Sequence, residues 1–240
     1  MIFDMDGVVT ETARVHAAAW KRMFDEYLKR REGRDGEDHD PFDMEDYRMH
    51  VDGIPRYEGA RRFLESRGIE IPFGEPSDPP EAETVCGLGN RKNGYFIEEL
   101  EKGGARAFDS TMDLVRKSRE SGIRLAVISA SRNARKVLES AGVLDMFDEV
   151  VGGAEADRLG LSGKPAPDIF LEAARRLKAE PGRTAVFEDA IAGVEAASAG
   201  GFYPVVGVDR AGHEQEMRKA GADIVIEDIS NLEYSGGEGG

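Results

Sequence analysis

Cysteine is almost missing from these 240 residues: Cys86 stands alone, so no intramolecular disulfide can form and the fold needs no oxidising compartment. Positive charge is short as well. The 32 Lys and Arg face 47 Asp and Glu, giving a net charge of −15 and a pI near 4.8. Such a surface argues against nucleic acid and against a membrane as partners, because both present phosphate that basic groups must meet. No run reaches the roughly 18 apolar residues of a membrane span. The start, MIFDMDG, carries acids where a secretory signal carries cations. The expectation is a cytoplasmic protein, with a monomer favoured. Among the bases, 9 Lys stand against 23 Arg, which adaptation to high salt and a GC-rich genome explain equally well.

What is present is enough for a real core. The chain is 40% hydrophobic, with 11 Phe and 6 Tyr, and long enough for one domain or a core with a second lobe. From about residue 110, short apolar runs alternate with helical patterns. The runs are 123–128 (IRLAVI), 149–151, 184–187, 203–208 and 223–226. Between them, 133–141, 167–178, 190–199 and 214–220 carry Ala, Leu, Glu, Lys and Arg at helical spacing. Continuous apolar runs read as strands buried on both faces, so the alternation predicts a doubly wound α/β fold with a parallel, Rossmann-like sheet. In such sheets ligands sit beyond the carboxyl ends of the strands.

The stretch Met1–Phe3 reads as the end of one more strand. Buried strands usually run about five to six residues, so the natural chain is expected to begin a few residues upstream. About a hundred helical residues then intervene before the next strand. In 12–28, Val15, Ala19, Met23 and Tyr27 recur at i+4, with His16, Trp20 and Phe24 one position round. A second helix is expected over 57–67 and a third over 84–102, the last weakened by Gly87, Gly89 and Gly94. The charged segment 29–40 (KRREGRDGEDHD), the proline-rich 73–83 and the glycine-rich tail 235–240 read as loops. This is a lid architecture: 1–14 and 106–240 form the core, and 15–105 an inserted helical cap.

Four segments just past the strands carry chemistry. Asp4-Met5-Asp6-Gly7 puts two carboxylates at i and i+2, with a glycine that lets the chain turn. Alone, it reads as a loop cap with two solvated acids. Ser129-Ala130-Ser131 offers hydroxyls and amides suited to phosphate, and equally a helix cap by Ser131 or Asn133. Lys164 lies between Gly163 and Pro165, with Pro167 beyond; this is not a P-loop, since Pro165 stands where Ser or Thr is required. Glu188-Asp189 ends a buried strand with two acids, a costly arrangement unless cations meet them. Together the four make a hard-oxygen site suited to Mg²⁺, with a serine and a lysine for phosphoryl oxygens.

These motifs, in this order, resemble the haloacid dehalogenase superfamily, and within it the β-phosphoglucomutase-like subfamily. The segments DMDGVVTETARVHAAAW, VDGIPRYEGARRFL, GNRKN, SASRN, GKPAPDIF and FEDAIAGVEAA carry the resemblance over nearly the whole chain. It implies that Asp4 is a nucleophile forming an aspartyl-phosphate and Asp6 the general acid/base. It implies Mg²⁺ on Asp4, the Asp6 carbonyl, Glu188 and Asp189. Ser129, the Ala130 amide and Lys164 would grip the transferring phosphate. In the cap, Arg56 would hold a second phosphate and Gly53 and Ile54 would line the sugar. Ser131, Arg132 and Asn133 would help at the distal end. His16 would link cap closure to Asp6, with Trp20 and Lys92 shaping the closed site. Three residues depart from the mutase pattern: Asp52 for a lysine, Arg132 for a lysine and Glu11 for an aspartate. The expected activity is conversion of β-glucose 1-phosphate to glucose 6-phosphate, with a sugar-phosphate phosphatase as the alternative. A dehalogenase has no use for Asp6, and a catalytically dead binding module would not need every motif carboxylate.

Overall fold

The computed structural model describes residues 1–35, 39–52, 54–210 and 212–232. Gly53, part of the charged segment and the glycine-rich tail read from the sequence therefore lie outside the described residues. In chain order the elements are β1 (Ile2–Asp4), α1 (Ala13–Asp35), α2 (Met44–Asp46, continued by a π-helical turn Tyr47–Val51), α3 (Arg56–Ser66), α4 (Val85–Gly103), α5 (Asp109–Glu120), β2 (Ala126–Ile128), α6 (Ala134–Ser140), β3 (Glu149–Val151), α7 (Gly153–Leu159), α8 (Asp168–Leu177), β4 (Val186–Glu188), α9 (Ile191–Ala199), β5 (Val205–Val208), α10 (Glu214–Ala220) and β6 (Ile224–Ile226). They fall into two compact units, Met1–Glu11 with Ala105–Gly240, and Thr12–Gly104. The first division falls at Thr12 rather than at residue 15, because α1 already begins at Ala13.

The first unit is built on a six-stranded parallel sheet in the order β3-β2-β1-β4-β5-β6. Strand order reverses beside β1, the topological switch point where such folds bind ligands. The apolar runs form strands because both their faces are covered. On one face Ile2, Ala126, Ile128, Val186 and Val205 pack with Phe170, Ala173 and Leu177 of α8 and Val194 of α9. On the other, Phe3 and its register partner Phe187 stack at 4.6 Å, with Phe147 edge-on to Phe3 at 6.1 Å. Pairing begins later than the apolar runs do: β2 starts at Ala126, after a lead-in in which Leu125 N–H donates to the Asp148 carboxylate at 2.8 Å.

The second unit is helical and has its own core. Phe24 sits at its centre, 5.2 Å from Trp20, 5.2 Å from Phe42 and 4.0 Å from Phe63. Both stripes read on α1 are used in part: Ala19, Met23 and Tyr27 are buried, as are Trp20 and Phe24, while Val15 and His16 at the start are half-buried. Among the described residues no helix is long and apolar enough to cross a membrane.

Two expectations for this unit need correction. Residues 29–35 are not loop but the last two turns of α1. Lys, Arg and Glu are good helix formers, Arg30 Nε donates back to the Glu26 carbonyl at 3.3 Å, and Gly33 faces open space. The glycines of α4 are also not simply weaknesses. Thr84 caps this helix by accepting from Gly87 N–H at 3.0 Å. A methyl group on Gly87 would come 2.3 Å from the Ala82 carbonyl oxygen, and one on Gly89 2.7 Å from the Tyr57 ring, so both permit close packing. Gly94, by contrast, has nothing within 4 Å.

This contrast gives a paired test. Gly87→Ala should destabilise the protein by ~1–3 kcal/mol, the usual scale of overpacking, despite the helix propensity gained. Gly94→Ala should stabilise it by roughly 0.5–1 kcal/mol. Urea midpoints of the two variants should move in opposite directions.

Candidate active site

Register brings the motif residues to one edge of the sheet. Asp4 pairs with Ile128, and Phe3 pairs with Phe187, so Asp4, Ser129 and Glu188 leave three adjacent strands at one level. Lys164, in the turn ahead of α8, reaches the same place: its ammonium donates to Asp4 Oδ1 at 2.5 Å and to Glu188 Oε1. Glu188 is fully buried, and its Oε2 accepts from Ala190 N–H at 2.8 Å, just ahead of the first turn of α9. Room for that carboxylate exists because residue 193 is glycine; a Cβ there would lie 1.7 Å from Glu188 Oε1.

Asp6 and Ser129 are also together. Ser129 Oγ donates to Asp6 Oδ2 at 3.1 Å and accepts from Ser131 N–H at 3.0 Å. Ala130, next in the chain, is exposed. The turn is pinned from β3, since Ser129 N–H donates to the Val151 carbonyl at 3.1 Å and Gly153 N–H to the Ser131 carbonyl at 2.9 Å. Ser131 Oγ accepts from Asn133 N–H at 3.2 Å, so Ser131, rather than the Asn133 side chain, braces the entry to α6. Arg132 turns to the surface and pairs with Asp157 at 2.8 Å, both side chains more than half exposed.

Four carboxylates thus gather near one ammonium: Asp4 and Glu188 are buried against Lys164, and Asp6 and Asp189 beside them are partly exposed. Burial, first of all, pushes the Asp4 carboxyl up to about 8; Lys164 opposes this, and Glu188 and Asp6 add to it. Asp189 is likewise held well above the usual carboxylate range by burial and then by Glu188 and Asp4. Burial pulls the Lys164 ammonium down, but Asp4 and Glu188 outweigh it and raise its pKa above the ordinary lysine value. A divalent cation would resolve this imbalance. One oxygen from each of Asp4, Glu188 and Asp189 lies within 4.8 Å of the others, and an all-carboxylate set fits a hard ion and not a soft one. The residues fit such a metal.

The turn that carries Asp6 depends on residues that sequence reasoning passed over. Thr10 Oγ donates to the Met5 carbonyl at 3.1 Å, and Thr111 Oγ donates to the Val8 carbonyl at 2.6 Å. Thr10 lies within the first motif segment and Thr111 outside every one of them, and the role of each in holding the turn emerges only from the fold. Gly7, at φ +84°, faces Asp189 so closely that a Cβ would lie 1.7 Å from its Oδ2.

In the helical unit, His16, Trp20 and Lys92 form a second group. The Lys92 ammonium lies 2.7 Å from His16 Nδ1 and 5.0 Å from the centres of the Trp20 and Phe96 rings. An ammonium cannot accept, so Nδ1 does, and His16 is neutral with its proton on Nε2. Burial, and then Lys92, holds the His16 pKa well below its ordinary value. Arg56, at the start of α3, donates from Nη2 to the Tyr57 hydroxyl at 3.1 Å, while its buried Nε has no hydrogen-bond partner among the described residues. Ile54 is half-buried ahead of it, and Gly53 is outside the described residues.

The chain matches the haloacid dehalogenase-like hydrolase family over residues 1–201. It is 46% identical to a β-phosphoglucomutase of Mycobacterium bovis over 96% of this chain and 90% of that one. It is 30% identical to a phosphorylated carbohydrates phosphatase of Thermotoga maritima over 97% of this chain and 96% of the relative. The crystal structure of a β-phosphoglucomutase from Clostridium difficile superposes with a TM-score of 0.76 at 26% identity, covering 97% of this chain and 92% of the other. The chain therefore belongs to the haloacid dehalogenase-like hydrolase family. Within that family it is an enzyme of the phosphotransferase and phosphatase type.

The raised carboxyls make a stability prediction for the metal-free protein. A carboxyl whose folded pKa is about 8 against an unfolded 3.8 binds its proton more tightly when folded. Its contribution is fully present below the unfolded value and declines as pH rises from about 4 to about 8. Thermal stability of the metal-free protein should fall across this window, and the increment from added Mg²⁺ should grow with pH. Melting curves at pH 5 and pH 8 with an identical Mg²⁺ increment would contradict the crowding.

Proposed function

We propose that this enzyme moves phosphate on a hexose phosphate, converting β-glucose 1-phosphate to glucose 6-phosphate through an aspartyl-phosphate on Asp4. The observation that carries the chemistry is the buried contact of the Lys164 ammonium with Asp4 and Glu188 beside Asp6 and Ser129. Support for the substrate comes from the mycobacterial relative and from Arg56, a cation in the helical unit with an unused buried N–H.

Asp4 attacks phosphorus as a carboxylate, and the bond from phosphorus to the sugar oxygen breaks. Asp6, protonated, delivers its proton to that oxygen. In the other half-reaction Asp6, now a carboxylate, takes the proton of a sugar hydroxyl as its oxygen attacks the phosphorus on Asp4. Mg²⁺, when bound, would be held by Asp4, the Asp6 carbonyl, Glu188 and Asp189, and supplies charge that offsets the repulsion between carboxylate and phosphate dianion. Lys164 adds to that charge, and Ser129 Oγ with the Ala130 amide donates to the phosphoryl oxygens. Arg56 would hold the second phosphate of a bisphosphate that turns round between half-reactions, with Gly53 and Ile54 against the sugar and Ser131, Arg132 and Asn133 at the distal end. His16, with Trp20 and Lys92, would couple cap closure to Asp6. Closure on a sugar phosphate excludes water, and water is what separates a phosphatase from a mutase.

Hydrolysis of a sugar phosphate on the same scaffold is a second reading. The phosphatase relative favours it, and so does exposed Asp52, an acid where the mutase pattern has a lysine. One assay decides: β-glucose 1-phosphate with Mg²⁺ and a bisphosphate primer, following glucose 6-phosphate and free phosphate together. Glucose 6-phosphate without stoichiometric phosphate release establishes the mutase.

Two variants test the residue roles. Asp4→Asn should abolish phosphoryl transfer and aspartyl-phosphate formation while the protein stays folded; turnover close to wild type would remove Asp4 as nucleophile. Arg56→Ala should slow isomerisation by at least ~10²-fold, the scale of losing a charged positioning contact, and leave hydrolysis of a small phosphate ester nearly unchanged. Equal loss of both activities, or of neither, would count against a distal-phosphate role.

A further inference from the structure

The exit of β5 lies at the same edge of the sheet as Asp4, and the two residues immediately beyond it belong to none of the motifs. Asp209 is buried there, donating its N–H to the Ile226 carbonyl at 2.7 Å. Arg210, the next residue, reaches across to the turn behind Asp6. Its Nη1 donates to the carbonyl oxygen of Gly7. The same guanidinium lies over the Phe108 ring, with Cζ 3.8 Å from its centre, and Nη2 is 3.7 Å from Asp228 Oδ2. Asp228 is itself held, since Ser110 Oγ donates to its Oδ2 at 3.0 Å.

We infer that Arg210 is a positioning residue that fixes the Asp6–Gly7 turn and so keeps the Asp6 carboxyl aimed at the leaving oxygen. The need for such a residue arises from Gly7. At φ +84°, with a Cβ falling 1.7 Å from Asp189 Oδ2, position 7 calls for glycine, and glycine brings the widest backbone freedom of any residue. Asp6 therefore hangs from a pivot whose angles its own side chain cannot restrict. The freedom is removed by contacts from outside. Gly7 N–H donates to the Thr10 carbonyl at 2.9 Å on one side, and Arg210 takes the Gly7 carbonyl on the other. Arginine suits the task because a planar guanidinium can stack on a ring, face a carboxylate and donate to a carbonyl at once. The inference rests on the acid/base role proposed for Asp6.

The test separates positioning from general support by the leaving group. Aspartyl-phosphate formation from p-nitrophenyl phosphate needs no proton on the departing oxygen; formation from a hexose 6-phosphate does. Single-turnover trapping of the phosphoenzyme, with Mg²⁺ present, is compared for the wild type, Arg210→Met and Asp6→Asn. Arg210→Met should slow transfer from the hexose phosphate by roughly 10- to 100-fold, the range a misplaced catalytic group produces. Transfer from the nitrophenyl ester should stay within about twofold, and Asp6→Asn should show the same selectivity in larger measure. Arg210→Lys, which keeps the charge but not the fork, should show it in smaller measure and carries the test if the methionine variant does not fold. If Asp6→Asn slows both esters alike, the acid/base reading of Asp6 is wrong. If Asp6→Asn is selective but the Arg210 variants slow both esters alike, or neither, Arg210 does not position Asp6.

Discussion

Four carboxylates around one ammonium is the arrangement on which the rest of this enzyme depends. Left in an apolar edge of a sheet, such a group would repel itself apart, and much of the local architecture answers that problem. The parallel register delivers Asp4, Ser129 and Glu188 at one level. Lys164 is brought from the α8 turn to the place where two of the carboxylates converge. The amide ahead of α9 takes the Glu188 oxygen that Lys164 does not. What remains unbalanced is negative charge, which a further cation would offset.

The helical unit solves a different problem with the same economy of bases. Lys92 is buried between two aromatic faces, with its ammonium against a histidine nitrogen. Ring quadrupoles and a neutral imidazole help to stabilise the charge there. Its neighbour Trp20 is at once part of the unit's aromatic core, so the site group and the packing of α1 against α4 are not separable.

The sheet was legible in the sequence because its strands are covered on both faces, which writes unbroken apolar runs such as IRLAVI into the chain. The motif acids were legible because acids ending buried runs have no bland structural explanation when they occur together. Three kinds of feature were not. Residues 29–35 carry no apolar stripe, and helix propensity alone was outweighed by their charge and glycine. Gly87 and Gly89 look like breaks until the carbonyl of Ala82 and the ring of Tyr57 occupy the space a side chain would take. Thr10, Thr111 and Arg210 act through backbone carbonyls far away in the chain or across a turn, and a backbone carbonyl has no signature in sequence. The side-chain contact of Lys164 with Glu188 was hidden for a different reason: both residues were visible, but their meeting was decided by the fold.

Each acid at the exit of β4 has a glycine opposite it, Gly193 against Glu188 and Gly7 against Asp189, and a Cβ on either would lie 1.7 Å from a carboxylate oxygen as it stands. This imposes an order on mutational history. A side chain at residue 193 requires Glu188 to move or be lost, whereas Gly7, at φ +84°, resists replacement whichever residue stands at 189. An inactive descendant that kept Glu188 in place would still be pressed to keep Gly193. A conserved Gly193 among relatives would therefore report the volume of Glu188, and a conserved Gly7 the shape of the backbone turn, rather than the survival of catalysis.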